Sequence, residues 1–160
     1  AGGLLPPTRR RPRLEPALRP RGFVQYQMVV HPRRHDVVKA ALERLKRERH
    51  CFFLAVLKRM GPQHGLLAFP IEGWTLAVDI PAGSPRLAAT LDALDEMVAE
   101  AGGRVYLAKD SRMRPELFRE MYHGLDRWLD IRRRLDPEGR MTSDLARRLE
   151  IAEPAKEARR

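Results

Sequence analysis

Two stretches of strictly alternating apolar and polar residues constrain the fold more than any other feature of this chain. Residues 22–30 (GFVQYQMVV) set Val24, Tyr26, Met28 and Val30 on one side, with Gln25 and Gln27 on the other. Residues 73–80 (GWTLAVDI) set Trp74, Leu76, Val78 and Ile80 against Thr75, Ala77 and Asp79. A period of two is the signature of a strand with one buried face. Between and after them lie helical stripes. Val37, Val38, Ala41, Leu42 and Leu45 come after Pro32, which suits a first helical turn, and Leu87, Leu91, Leu94, Val98 and Ala101 come after Pro85. The apolar run 51–58 (CFFLAVLK) reads as a buried strand ended by Gly61-Pro62, and 104–108 (RVYLA) as a fourth strand after the helix-ending pair Gly102-Gly103.

The order strand, helix, strand, strand, helix, strand predicts an α+β fold. Its form is a ferredoxin-like antiparallel sheet (βαββαβ) with helices on one face and the first and third strands central. The other face then carries Gln25, Gln27, Thr75, Ala77 and Asp79, either solvated or lining a polar site. Further helices come after the sheet. Pro115 opens one (PELFREMY), Leu125 to Leu135 mark a second ended by Asp136-Pro137, and Thr142 or Ser143 caps a short third. Phe118, Tyr122 and Trp128 look surplus to a small sheet domain, so these helices are expected to pack on something else.

The flanks differ in kind. Residues 1–21 hold six Arg, one Glu and five of the 13 prolines, so half of the net charge of +10 sits there. They and the polar tail 152–160 read as disordered, leaving 22–151 as the domain. The basic balance weakly points to anionic partners. No stretch of the sequence is a secretory signal or a membrane span, so the expected location is cytoplasmic or peripheral at a membrane surface. The single cysteine, Cys51, has no internal disulfide partner and reads as a core residue, and the five histidines show no metal-ligand spacing.

No self-contained catalytic signature is present: no phosphate-cradling glycine loop, no HExxH and no nucleophile elbow. Attention falls on GGRVYLAKDS, where Tyr106 and Lys109 lie at a strand end. A lysine there could stabilise negative charge on a reduced ring, or could simply pair with Asp110 in solvent. Lys58 reads equally as a surface lysine, and Gln25 and Gln27 as the polar side of a strand.

Taken together, GFVQYQ, FLAVLKRMGP, LAFPIEGWTLAVDIP, GGRVYLAKDSR and MYHGLDRWLDIRRRLDPEGRMTSDLARRLEI resemble the C-terminal part of the decaprenylphosphoryl-β-D-ribose oxidases. These are FAD-linked oxidases of the vanillyl-alcohol-oxidase class, alongside the aldonolactone oxidases. The resemblance covers about residues 22–151, and the AKDSR and WxxxRRxxDP segments make it specific. It implies a sheet that covers the flavin ring and forms the substrate pocket, and an FAD-binding domain that is not in this chain. It also implies oxidation of a sugar or sugar-lipid alcohol to a ketone by hydride transfer to FAD. By position it casts Lys109 and Tyr106 as catalytic, and Gln25, Gln27, Lys58, Thr75 and Ala77 as flavin or substrate contacts. Thr75 stands where the family has Asn, and Ala77 where a mycobacterial member has a cysteine. The implied partners are an FAD-binding domain or chain, a sugar or polyprenyl-phosphoryl sugar, and a partner reductase. Without the flavin domain the chain is expected to be inactive alone, and its uncovered surfaces to favour self-association. Two other readings stand beside this one. One is a basic RNA-binding module, disfavoured because the central strands lack outward aromatics; the other is a fragment without catalytic function.

Overall fold

The computed structural model describes residues 22–62 and 64–151; the expectations for 1–21 and 152–160 lie outside the described residues. Four strands, β1 (Phe23–Val30), β2 (Leu54–Met60), β3 (Gly73–Pro81) and β4 (Arg104–Val105), form one antiparallel sheet in the order β2-β3-β1-β4. Helices α1 (His35–Arg47) and α2 (Leu87–Glu100) complete the βαββαβ succession. The α+β, ferredoxin-like expectation is met, with β1 and β3 central.

The alternation does what its period requires. Tyr26, Met28 and Val30 of β1 and Leu76, Val78 and Ile80 of β3 are buried against Val37, Val38, Ala41 and Leu45 of α1 and Leu87, Leu91, Leu94 and Val98 of α2. Pro32 opens a 3-10 turn that leads into α1. Gly102 takes a left-handed φ of +65° after α2, and a Cβ on Gly103 would lie 2.5 Å from the Val29 carbonyl oxygen. The pair therefore both ends the helix and lets β4 approach β1.

Four expectations are corrected. The second strand is not buried: it runs from Leu54 to Met60 at the sheet edge, with Leu54 and Leu57 each about half exposed. An apolar run can be an edge strand when nothing covers it, and composition does not distinguish the two. Cys51 precedes that strand and is exposed, so it is not a core residue. The fourth strand is shorter than 104–108. Only Arg104 and Val105 pair with β1, although Tyr106 N–H still donates to the Gln27 carbonyl (2.8 Å), after which the chain turns into a 3-10 segment, Leu107–Lys109.

The fourth correction concerns the C-terminal helices α3 (Pro115–Met121), α4 (Leu125–Leu135) and α5 (Asp144–Arg148). Phe118 and Tyr122 are fully buried within this domain, along with Met113, Leu149 and Ile151. The Tyr122 hydroxyl donates to the Val105 carbonyl at 2.7 Å. These aromatics extend the domain's own core around α2 and β4. Of these helices α4 turns a large part of itself outward, with a single buried residue, Leu125, and the short α5 likewise buries only Ala146. As expected, α5 is capped by Ser143, whose hydroxyl accepts from Ala146 N–H.

Candidate functional site

Strand register assembles the face opposite α1 and α2. Gln27 pairs with Ala77, and Ala77 with Val56; Gln25 pairs with Asp79, and Asp79 with Leu54; Val29 pairs with Thr75, and Thr75 with Lys58. Cross-strand partners share a face. Three rows therefore run across the sheet, with Ala77, the smallest side chain, at the centre.

One end of this floor is closed and the other is open. Thr75 and Val29 are almost fully buried, and the connection between β2 and β3 is tied down beside them. Arg104 of β4 donates to the carbonyls of Ala68 and Met121 and lies over the Tyr122 ring. Phe69 packs on Tyr106 with ring centroids 4.6 Å apart. The Thr75 hydroxyl donates to the Met28 carbonyl (2.8 Å) and accepts from Gln27 Nε2 (3.1 Å). Thr75 thus fixes the orientation of Gln27, whose Oε1 has no donor among the described residues. At the open end Gln25 and Ala77 are partly accessible; Lys58, in the row of Thr75, is exposed on the edge strand.

Where β4 stops, the 107–112 segment passes beside β1 and a small crevice forms. Gln25, Gln27 and Tyr26 line it from the sheet; Lys109, Asp110, Ser111 and Arg112 line it from the segment. The structure thereby brings Lys109 to Gln25 and Gln27, and Tyr106 to Gln27 through the backbone. Ala77 joins them by register, and Lys58 stands two rows from Gln25 at the far edge.

The pairing of Lys109 with Asp110 is not what forms. Asp110, its side chain 2% exposed, accepts the backbone N–H groups of Arg112 and Met113 and bonds Arg148 at 2.7 Å. Lys109 has no acidic partner within ion-pair distance among the described residues.

Beneath the segment lies a second lock that the sequence reading missed. Asp95 on α2 has a side chain 1% exposed and meets Arg112 at 2.9 Å, while Arg112 also contacts Asp92. The Asp95 Oδ1 and the Tyr26 hydroxyl are buried with no hydrogen-bond partner among the described residues. Burial is the main cause that lifts the Asp95 carboxyl to about 6, against the opposing pull of Arg112; burial likewise raises the Tyr26 phenol, with Asp95 adding to it. The signal for Asp95 was present: it falls four residues after Leu91 and three before Val98, on the buried stripe of an amphipathic helix. A carboxylate there needs a cation, and Arg112 is that cation.

With the geometry in place, three matches to known proteins bear on it. A family model for D-arabinono-1,4-lactone oxidase matches residues 80–149. Decaprenylphosphoryl-β-D-ribose oxidase of Mycolicibacterium smegmatis (strain ATCC 700084 / mc(2)155) is 44% identical over 131 residues, covering 81% of this chain and 28% of that protein. A Streptomyces coelicolor protein described as an uncharacterized protein in the mprA 5' region is 46% identical over 129 residues, covering 80% of this chain and 35% of its own length. The chain thus spans about a third or less of these curated relatives. On these matches, the resemblance carried by the sequence motifs is shown: the chain is related to the D-arabinono-1,4-lactone oxidase family and to decaprenylphosphoryl-β-D-ribose oxidase.

Proposed function

We propose that this chain is the substrate-side wall of an FAD-dependent oxidoreductase that oxidises a sugar or polyprenyl-phosphoryl sugar alcohol to a ketone. The observation that carries it is the convergence of Lys109, Gln25 and Gln27 at the end of a floor centred on Ala77. A floor with an alanine at its centre and a cation at its rim suits one face of a planar anionic ring. Among the described residues there is no glycine-rich loop to cradle a pyrophosphate. The fit is to the ring and substrate, and an FAD-binding domain or chain would hold the remainder of the cofactor.

When bound, FAD supplies the hydride acceptor. The residues of this chain do the rest. Lys109, which does not pair with Asp110, would set its cationic end at the rim beside the flavin ring and the substrate oxygen. Gln27, held by Thr75, offers Oε1 to a donor on the ring or the sugar. Tyr106, its ring packed on Phe69, is tied to Gln27 through the backbone. Ala77 leaves the centre of the floor open and has no nucleophile, so reagents that attack a thiol at this position have no target. A partner reductase acting on the ketone belongs to the same reading. No described helix is long and apolar enough to cross a membrane, and a polyprenyl substrate would put the working enzyme at a membrane surface.

An RNA-binding role gains nothing from the geometry. The open-face residues of the central strands are Gln25, Gln27, Val29, Thr75, Ala77 and Asp79, with Phe23 alone at the margin. Base stacking needs more than one aromatic platform.

The test is a chimera in which this chain replaces the matching 131 residues of the Mycolicibacterium relative. Anaerobic addition of a polyprenyl-phosphoryl sugar should bleach the flavin band near about 450 nm, and Lys109→Ala should slow bleaching roughly 100-fold or more. A chimera that retains flavin yet is not reduced by any such sugar overturns the reading. The isolated chain mixed with FAD and gel-filtered should emerge colourless.

A further inference from the structure

The lysine at the rim is held between two anchors, and the second comes from the far end of the domain. Upstream, Tyr106 N–H donates to the Gln27 carbonyl at 2.8 Å, and Lys109 N–H closes the 3-10 turn on the Tyr106 carbonyl. Downstream the anchor is Asp110. Its Oδ1 accepts the N–H groups of Arg112 (3.0 Å) and Met113 (2.8 Å), which fixes the turn by which the chain leaves Lys109. Its Oδ2 accepts from Arg148 Nη2 at 2.7 Å, while Arg148 Nη1 donates to the Met113 carbonyl at 2.7 Å. A guanidinium fork spans two acceptors in this way, and an ammonium does not.

The charges lead to the same residue. The Asp110 side chain is 2% exposed, and a buried carboxylate needs a cation. Arg112, close by in the chain, is already engaged by Asp92 and Asp95. Without Arg148 the adjacent cation left to Asp110 is Lys109 itself, which would then be drawn out of the crevice that it lines with Gln25 and Gln27.

We infer, given Lys109 as the rim cation proposed above, that Arg148 of α5 is a positioning residue for the oxidation. It sets the turn that carries Lys109, and it occupies the carboxylate that would otherwise compete for the ammonium. Arg148 acts through Lys109 alone, from 38 residues beyond Asp110. Misplacing a reacting group by about 1 Å can cost about 100-fold in rate.

Two measurements test this. In the flavin-loaded chimera described above, Arg148→Met should retain flavin and slow anaerobic reduction by saturating sugar about 10–100-fold. Arg148→Lys, which keeps the charge but loses the fork, should slow it less, and carries the test if Arg148→Met is unfolded by circular dichroism. In a Lys109→Ala background either Arg148 substitution should slow reduction no further, because a residue acting only through the lysine has nothing left to act on. In the full chain, without flavin or sugar, amide hydrogen exchange across residues 106–114 should quicken in both Arg148 variants, while β3 exchanges as in wild type. Reduction at the wild-type rate in Arg148→Met overturns the inference, as does the same fold-loss with and without Lys109, or unchanged exchange across 106–114. If Lys109→Ala itself reduces at the wild-type rate, the rim-cation reading fails and this inference with it. If Lys109→Ala is slow but the two losses multiply, the positioning role alone fails.

Discussion

Replacing Asp95 with Asn should change not only how stable the domain is but how its stability depends on pH. Burial raises the Asp95 carboxyl from 3.8 to about 6. At about 1.36 kcal/mol per tenfold change in proton affinity, this separation corresponds to about 3 kcal/mol. The sign comes from proton counting. Between about pH 4 and pH 6 the native state holds a proton that the unfolded chain has lost, so stability is full below that window and falls as pH rises through it. The neighbours that face the carboxylate are Arg112, Tyr26, Asp92 and Asp110. All of them remain in the variant, so subtracting one pH series from the other isolates Asp95. Urea unfolding monitored by the fluorescence of Trp74 and Trp128 provides both series. Wild-type stability minus that of Asp95→Asn should drop by about 3 kcal/mol from about pH 3.5 to pH 7. A flat difference, or one that rises with pH, would refute the reasoning. It would mean that the attraction of Arg112 outweighs burial and that the pair is an ordinary stabilising bridge.

Two further substitutions probe the fold that carries the site. Phe118→Ala removes a fully buried ring and should cost about 3–5 kcal/mol in the same assay, whereas Leu135→Ala, at a residue 77% exposed, should change stability by less than about 0.5 kcal/mol; equal effects would return the C-terminal helices to the role of loose appendages. Gly103→Ala places a Cβ 2.5 Å from the Val29 carbonyl oxygen and 2.9 Å from methyl carbons of Val30 and Val98. It should lower stability by about 1–3 kcal/mol, and an unchanged melting temperature would show that β4 can move away from β1 at no cost.

The sheet was legible because its two central strands carry their burial in their alternation. Once Tyr26, Met28, Leu76 and Val78 are assigned inward, Gln27 and Ala77 must share the other face, and the register confirms that they pair. What the sequence could not show was what covers each apolar residue. CFFLAVLK is almost wholly apolar and PELFREMY carries three charges, yet the first became an uncovered edge and the second a core helix. That difference is set by Tyr122 reaching Val105 and by the lack of any described element beyond β2. The site was legible in part. Spacing placed Tyr106 and Lys109 at a strand end, but the partner of Asp110 lies 38 residues away at Arg148, and local reading favours the nearer cation.

The burial of Leu149 and Ile151 has a consequence for biosynthesis. They share one hydrophobic core with Phe118 and Tyr122, which come earlier in the chain, so that core is not complete until residue 151 has emerged from the ribosome. Domains are made N-terminal end first. A nascent chain that pauses within α4 therefore presents a half-closed core with its sheet already complete, and during that interval chaperones have a surface to hold that the finished protein does not offer.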